Sequence, residues 1–272
     1  DITEYALERL SRSSIKEVYM VGRRGPCQAA FTIAELREML KLSNVATEWR
    51  AKDFSGIPQL IESLPRPRKR LTELMVKSLE QPQNSDDDRR KFLPIFYRSP
   101  LQVNSSDGVV QSIDFAVTDL INNKAVPTEK VESIETQLVC RSIGYKSICV
   151  DDSIYFDAKL GRVHNDNGRA LKTNSNELDY GLYVGGWLAS GPSGVILTTM
   201  NNAFSVAQTI IDDIKGGKIK CEDKPGLNPK NYQTVTWDDW LKIDKVEIEE
   251  GKKINKCREK ISSINKMLNI LF

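Results

Sequence analysis

The sequence predicts an α/β protein in which a run of antiparallel strands interrupts alternating helices and strands. Three observations lead there. Helical and strand-like patterns alternate over the first 81 residues. Strand-like stretches then follow one another from 92 to 145 with turn residues between them. A short apolar strand at 180–187 passes through a small-residue junction into a long helix.

In order, residues 2–12 read as an amphipathic helix that Asp1 or Thr3 can cap. Residues 15–22 are a strand with Val18, Met20 and Val21 as its apolar bulk. A helix follows at 33–42, and Thr32 with Glu35 forms a capping box at its start. Residues 43–65 are irregular, 68–81 are helical, and PQNSDDDRR (82–90) is a solvated loop. Strands are expected at 92–99, 109–120 and 136–145, the first two pairing in a meander with VNSSDG as the turn. NDNGRA (165–170) is a turn, and 180–187 a buried strand. A helix from about Gly194 to Ile214 ends at Gly216-Gly217. CEDKPGLNPKNYQ is loop, and TWDDWLKIDKVEIEEGKK with a last helix at about 258–270 closes the chain.

A net charge of +2 means that any basic function is local. Without an apolar run of about 18 residues, no membrane-spanning helix is expected, and at most a peripheral membrane association. Five cysteines, an odd number with no C-x-x-C, suggest reduced thiols rather than a disulfide framework. The first residues, already helical in pattern, read as a start in mid-domain. His164 is the sole histidine, which excludes Ser-His and Cys-His catalysis unless it serves. Zinc motifs are missing too. Such poverty in acid–base groups suits hydride and electron transfer, where cofactors carry the chemistry and the protein positions them.

Three places can hold something. The strand at 15–22 ends in Arg23-Arg24. In a dinucleotide-binding fold, arginine at the end of the second strand accepts a 2′-phosphate and so selects NADP, whereas a carboxylate selects NAD. The alternative is two exposed arginines in a turn, and Glu35 has its own alternative as a capping partner. The second place is GGWLASGPSGVILTTM (185–200), where small residues and a helix N-terminus suit a phosphate or a reduced flavin. Trp187 lies just before it, and a core tryptophan is the other reading. The third is PRPRKRL (65–71). Pro67 opens the helix, so Arg68, Lys69 and Arg70 crowd its first turn against the macrodipole. Helix stability does not explain them; an acidic partner or a solvated basic turn does. Nucleic acid is not expected, because aromatic residues are not interleaved.

Taken together, VGRRGPCQAAFTIAELREM, PRPRKRLTEL, FYRSP, RSIGYKS, FDAKLGRV, GLYVGGWLASGPSGVILTTM and WDDWLKID resemble the mitochondrial adrenodoxin (ferredoxin) reductase family. That resemblance implies a Rossmann-like flavoprotein of two dinucleotide domains, here incomplete. Residues 1–157 would be the remainder of an NADP domain with an antiparallel insertion, and 158–272 the C-terminal part of an FAD domain. It implies FAD, hydride from NADPH, single electrons passed to an acidic [2Fe-2S] ferredoxin, and the mitochondrial matrix or the matrix side of the inner membrane. Carried over, Arg23, Arg24 and Glu35 would contact NADP. Trp187 and the backbone of Gly194, Val195 and Ile196 would face the flavin, and Gly194 would also approach NADP. Arg37, Arg66 and Arg70 would dock the ferredoxin.

Two departures stand out. The family's glycine-rich dinucleotide motifs are absent, so they are expected upstream of Asp1. Leu188, Ala189 and Ser190 stand where familiar members carry basic residues. The chain by itself is therefore expected to be catalytically silent, with a non-catalytic module that binds ferredoxin or NADPH as the alternative.

Overall fold

The opening helix, α1 (Glu4–Ser11), starts where expected: Thr3 accepts from the Ala6 N–H and caps it. The computed structural model describes residues 2–81, 89–192, 194, 196–220 and 233–272, so Asp1, most of the loop at 82–90, Val195, Cys221 and the loop at 221–232 lie outside the described residues. Strand β1 (Glu17–Val21) follows, then a 3-10 turn at Pro26–Gln28 and helix α2 (Ile33–Leu40). The Thr32/Glu35 capping box is present. The stretch expected to be irregular contains strand β2 (Val45–Thr47) and the single turn α3 (Ile57–Leu60). Helix α4 (Arg66–Leu79) begins two residues early, with Pro65 as its cap and Pro67 tolerated in its first turn.

Strand β3 (Arg90–Ile95) lies between β1 and β2 and is parallel to both. Parallel neighbours need crossovers, which the helices provide. One core cluster gathers Leu36 of α2 and Leu71 and Met75 of α4 with Trp49, Phe54 and Phe96. The Phe54 ring meets Trp49 and Phe96 edge-on at 5.5 and 6.0 Å, a favoured aromatic geometry.

The antiparallel insertion has three strands, β4 (Arg98–Ser106), β5 (Val109–Ile121) and β6 (Lys124–Glu135). Its turns lie at Asp107-Gly108 and Asn122-Asn123, all four residues with positive φ, as tight hairpins require. VNSS therefore belongs to a strand, not to the turn. β6 carries little local signal because Pro127 and its many charges depress strand propensity; an edge strand tolerates both. Ile95 of the parallel sheet packs on Phe115 and Ile134 and joins the two sheets.

The strand expected at 136–145 does not form. Among the described residues it joins no ladder beyond the Thr136 N–H on the Gln111 carbonyl, and Ile143 and Tyr145 are each 78% exposed. Short strands follow: β7 (Phe156–Asp157) with β8 (Arg162–Val163), then β9 (Asn165–Asp166), β10 (Arg169–Leu171) and β11 (Leu178–Tyr183). β11 stops four residues before Trp187, which instead sits on a short helix, α5 (Gly186–Ser190). The long helix α6 (Ile196–Lys215) is held to this small sheet by Asp213, which accepts from Arg169 and from the Tyr183 hydroxyl.

Two helices, α7 (Trp237–Lys253) and α8 (Ile264–Leu271), complete the chain. Residues 258–263, expected to be helical, form no regular element instead. Glu247 of α7, only 1% exposed, explains this: its carboxylate takes Lys260 and the Ile261 N–H, and its carbonyl takes the Glu259 N–H. Gly251 admits the same segment. A Cβ there would lie 2.6 Å from Arg258 Cα and 2.7 Å from its carbonyl carbon, and backbone cannot step aside. Gly251→Ala is expected to cost roughly 1–3 kcal/mol, read as a lower urea midpoint at unchanged slope.

Contacts divide the chain into two compact units, Asp1–Val139 with Val235–Phe272, and Cys140–Thr234. This differs from the expected boundary at 157/158. The C-terminal helices pack with the first unit: Lys256 pairs with Glu4 and Glu259, and Glu259 accepts the Glu4 N–H. Among the described residues there is no disulfide, and no helix is long and apolar enough to cross a membrane.

Candidate functional site

Arg23 and Arg24 follow β1 directly, at its carboxyl end, in a tight bend. That is where an open parallel sheet presents ligand groups. Both side chains are exposed and have no side-chain partner among the described residues. Their backbone, in contrast, is tied down. Gly22 exchanges hydrogen bonds with Ile95 and Arg98, the Arg23 carbonyl accepts from the Thr118 hydroxyl at 2.7 Å, and the Arg24 carbonyl accepts from the Tyr97 N–H. Gly25 comes next and packs under the Tyr97 ring: a Cβ would sit 2.1 Å from the Tyr97 hydroxyl oxygen, so any larger residue displaces that ring. The result is two free guanidinium groups on a fixed main chain, suited to a phosphate.

Glu35 lies at the start of α2 and donates nothing to this pair; one carboxylate oxygen accepts the Thr32 N–H at 2.6 Å. That bond holds its carboxyl below the usual range. The capping role is thus real, and Thr32 engages the carboxylate through both its N–H and its side chain.

The basic run divides in two. Arg68 donates to the Ala29 carbonyl, and Lys69 pairs with Glu62 at 2.7 Å and approaches Glu73. These two are structural, which corrects the expectation that stability explains none of the run. Arg66 and Arg70 are exposed without side-chain partners among the described residues, and so is Arg37 on the neighbouring helix α2.

In the second unit an open cleft of about 550 Å³ is lined by Trp187, Gly194, Ile196, Thr199, Met200 and Ala203. That volume falls within the range of small-molecule sites. Trp187 is 46% exposed, so it is not a core residue, and Ile196 is 89% exposed. Gly194 has φ +100°, a conformation that side chains disfavour, which leaves its backbone open to close approach. An aromatic wall, an apolar floor and bare backbone at the start of α6 fit a flat ring system. Tyr145, which lies in the RSIGYKS stretch but is not among the expected site residues, stacks on Trp187 with centroids 5.9 Å apart. His164 stacks on Tyr155 with centroids 3.9 Å apart.

The fold is that of FprA, an oxidoreductase of Mycobacterium tuberculosis. Its structure in complex with NADPH matches 99% of this chain with a TM-score of 0.84 at 29% identity, and the chain covers 61% of it. Another FprA structure, solved at atomic resolution with a covalently modified NADP+, matches at 0.83 and 28%. No family model matches the chain. Over essentially its whole length the chain is homologous to the mitochondrial NADPH:adrenodoxin oxidoreductases. It is 53% identical to that of Drosophila melanogaster over 272 residues, 40% to that of Homo sapiens and 36% to that of Arabidopsis thaliana. It spans 57–58% of the length of those relatives.

Proposed function

We propose that this chain provides the NADP-binding unit and the C-terminal part of the flavin-binding unit of an NADPH:adrenodoxin (ferredoxin) oxidoreductase. The observation that carries the reading is the exposed Arg23-Arg24 pair at the carboxyl end of a parallel strand, on a pinned backbone. It is supported by the mitochondrial NADPH:adrenodoxin oxidoreductases among its relatives. Arg23 and Arg24 take the 2′-phosphate, and Glu35 is assigned to the same coenzyme by resemblance. Trp187 walls the flavin ring, the backbone of Gly194 and Ile196 approaches it, and Gly194 also comes near NADP. Val195 is assigned to the same site by resemblance alone.

When bound, FAD would accept hydride and release electrons singly. The chain's own residues orient the coenzyme by its phosphate, cover the ring and bring the acceptor near. Arg37, Arg66 and Arg70 dock an acidic [2Fe-2S] ferredoxin by charge, which raises encounter rate and fixes orientation. The names of the relatives support a mitochondrial location, and the matrix or the matrix side of the inner membrane is part of this proposal.

The test is NADPH-driven reduction of a [2Fe-2S] ferredoxin by the reductase that contains this chain. Rapid reduction with NADPH and slow reduction with NADH is the expected result; equal use of both coenzymes refutes the reading. The double charge reversal R66E/R70E should weaken ferredoxin binding and flatten its salt dependence. Unchanged affinity and slope would remove these arginines from the docking surface.

A further inference from the structure

The carbonyls of three successive residues, Gly22, Arg23 and Arg24, accept hydrogen bonds from the segment running from β3 into β5. Two of the donors are main-chain N–H groups, Arg98 on the Gly22 carbonyl at 3.1 Å and Tyr97 on the Arg24 carbonyl at 3.2 Å. The middle donor is a side chain: Thr118 Oγ1 on the Arg23 carbonyl. Thr118 belongs to the antiparallel insertion, 95 residues away along the sequence, and is 3% exposed.

The insertion is shaped to deliver it. The β5–β6 register slips between Ala116 and Thr118, and the bulge is closed by the Thr128 hydroxyl on the Val117 carbonyl at 2.8 Å. Such a bulge re-aims the side chain beside it. Tyr97 is bent into the left-handed region, φ +57°, which is costly for an aromatic residue. In that conformation its N–H reaches Arg24, its carbonyl takes the Thr118 N–H at 2.9 Å, and its ring covers Gly25. Arg98 donates to the Tyr97 and Phe96 carbonyls and holds the bend. With its carbonyls turned inward, the bend presents both guanidinium groups outward.

We infer that Thr118 is a positioning residue for coenzyme selection: its hydroxyl sets the main-chain direction from which Arg23 and Arg24 meet the 2′-phosphate. A single hydroxyl on the antiparallel insertion thereby tunes which nicotinamide coenzyme is used, without touching it. This inference rests on the proposed phosphate-binding role of the two arginines.

Thr118→Val keeps the shape and removes the donor. In the reductase that contains this chain, T118V is expected to raise the KM for NADPH about fivefold, the worth of one hydrogen bond, with kcat within twofold and a smaller change for NADH. T118S retains the hydroxyl and should restore the KM. T118A serves as the donor-free variant if T118V does not fold. Adding the donor-free change to R23A/R24A should have no further effect on coenzyme preference, because the positioned groups are gone. Equal losses with both coenzymes, or a full effect in the R23A/R24A background, would reduce Thr118 to a structural residue and overturn the inference. If R23A/R24A itself leaves preference intact, the phosphate assignment fails and this inference falls with it. If R23A/R24A loses preference while T118V keeps it, only this inference fails.

Discussion

Replacing both arginines, R23A/R24A, in the reductase that contains this chain is expected to cut the preference for NADPH over NADH by about 100- to 1,000-fold. The two coenzymes differ by one phosphate, so the effect measures what grips it. A charge-assisted hydrogen bond contributes about 1.5–3 kcal/mol, and each tenfold change in the ratio corresponds to about 1.4 kcal/mol. Two guanidinium groups could reach the top of that sum, but both are exposed, and solvent screening discounts it. The loss should fall on the KM for NADPH and leave kcat at saturation nearly intact, since the phosphate is remote from the hydride. The KM for NADH should hold steady or fall slightly. A preference that survives the double substitution would contradict the phosphate assignment directly.

The second large effect is on stability. Arg98 is buried, with a side chain 5% exposed, and its charge is met by Glu132 of β6 at 2.6 Å. Glu132 also takes Arg50, and Lys52 lies 3.6 Å away. Removing one partner of a buried pair leaves the other charge uncompensated. Glu132→Ala is therefore expected to cost about 3–5 kcal/mol. Replacing Arg98 and Glu132 together by apolar residues of similar volume should cost less than the two single changes summed, because the second change no longer strands a charge; the Phe96 and Tyr97 carbonyls still lose their donor and Arg50 its partner. If the two single costs simply add, the pair is not what the buried charge depends on.

Proton linkage gives the same network a pH signature. Burial pushes the Glu132 carboxyl up, but hydrogen bonds and charge from Arg50 and Arg98 outweigh it and hold the group at about 2, against an ordinary 4.5. A depressed carboxyl stabilises the fold fully above its ordinary value, and that stability is lost as pH falls from 4.5 toward about 2. Asp53 works the other way. Burial raises its carboxyl, so it withdraws stability as pH climbs past the ordinary value of 3.8. The difference between the parent and the E132A variant isolates the first term. Their urea midpoints should converge as pH is lowered through that window, and parallel curves would contradict the assignment.

Legibility followed the range of the interactions. The capping box at Thr32 and Glu35, the long helix ended by Gly216-Gly217 and the strand running into Arg23-Arg24 are written in neighbouring residues, and all were read correctly. Strand β6 was missed because an edge strand with Pro127 has almost no local signal; only its partner β5 defines it. The strand expected at 136–145 failed for the converse reason, alternation without a neighbour to pair with. Arg68 and Lys69 were misjudged because their partners, Ala29 and Glu62, come together through folding.

The sequence alone determined the chemistry available: two adjacent guanidinium groups at a strand end, a tryptophan before a glycine-rich helix start, and a scarcity of acid–base groups. Those are properties of residue types and of spacings within about ten residues. Only the tertiary structure decided which charges are free and which are spent, that Trp187 faces an open cleft, and that Thr118 reaches back 95 residues to hold the Arg23 carbonyl. The physical reason is that a hydrogen bond or an ion pair depends on distance in space, and residues far apart in sequence acquire that distance only when the chain packs.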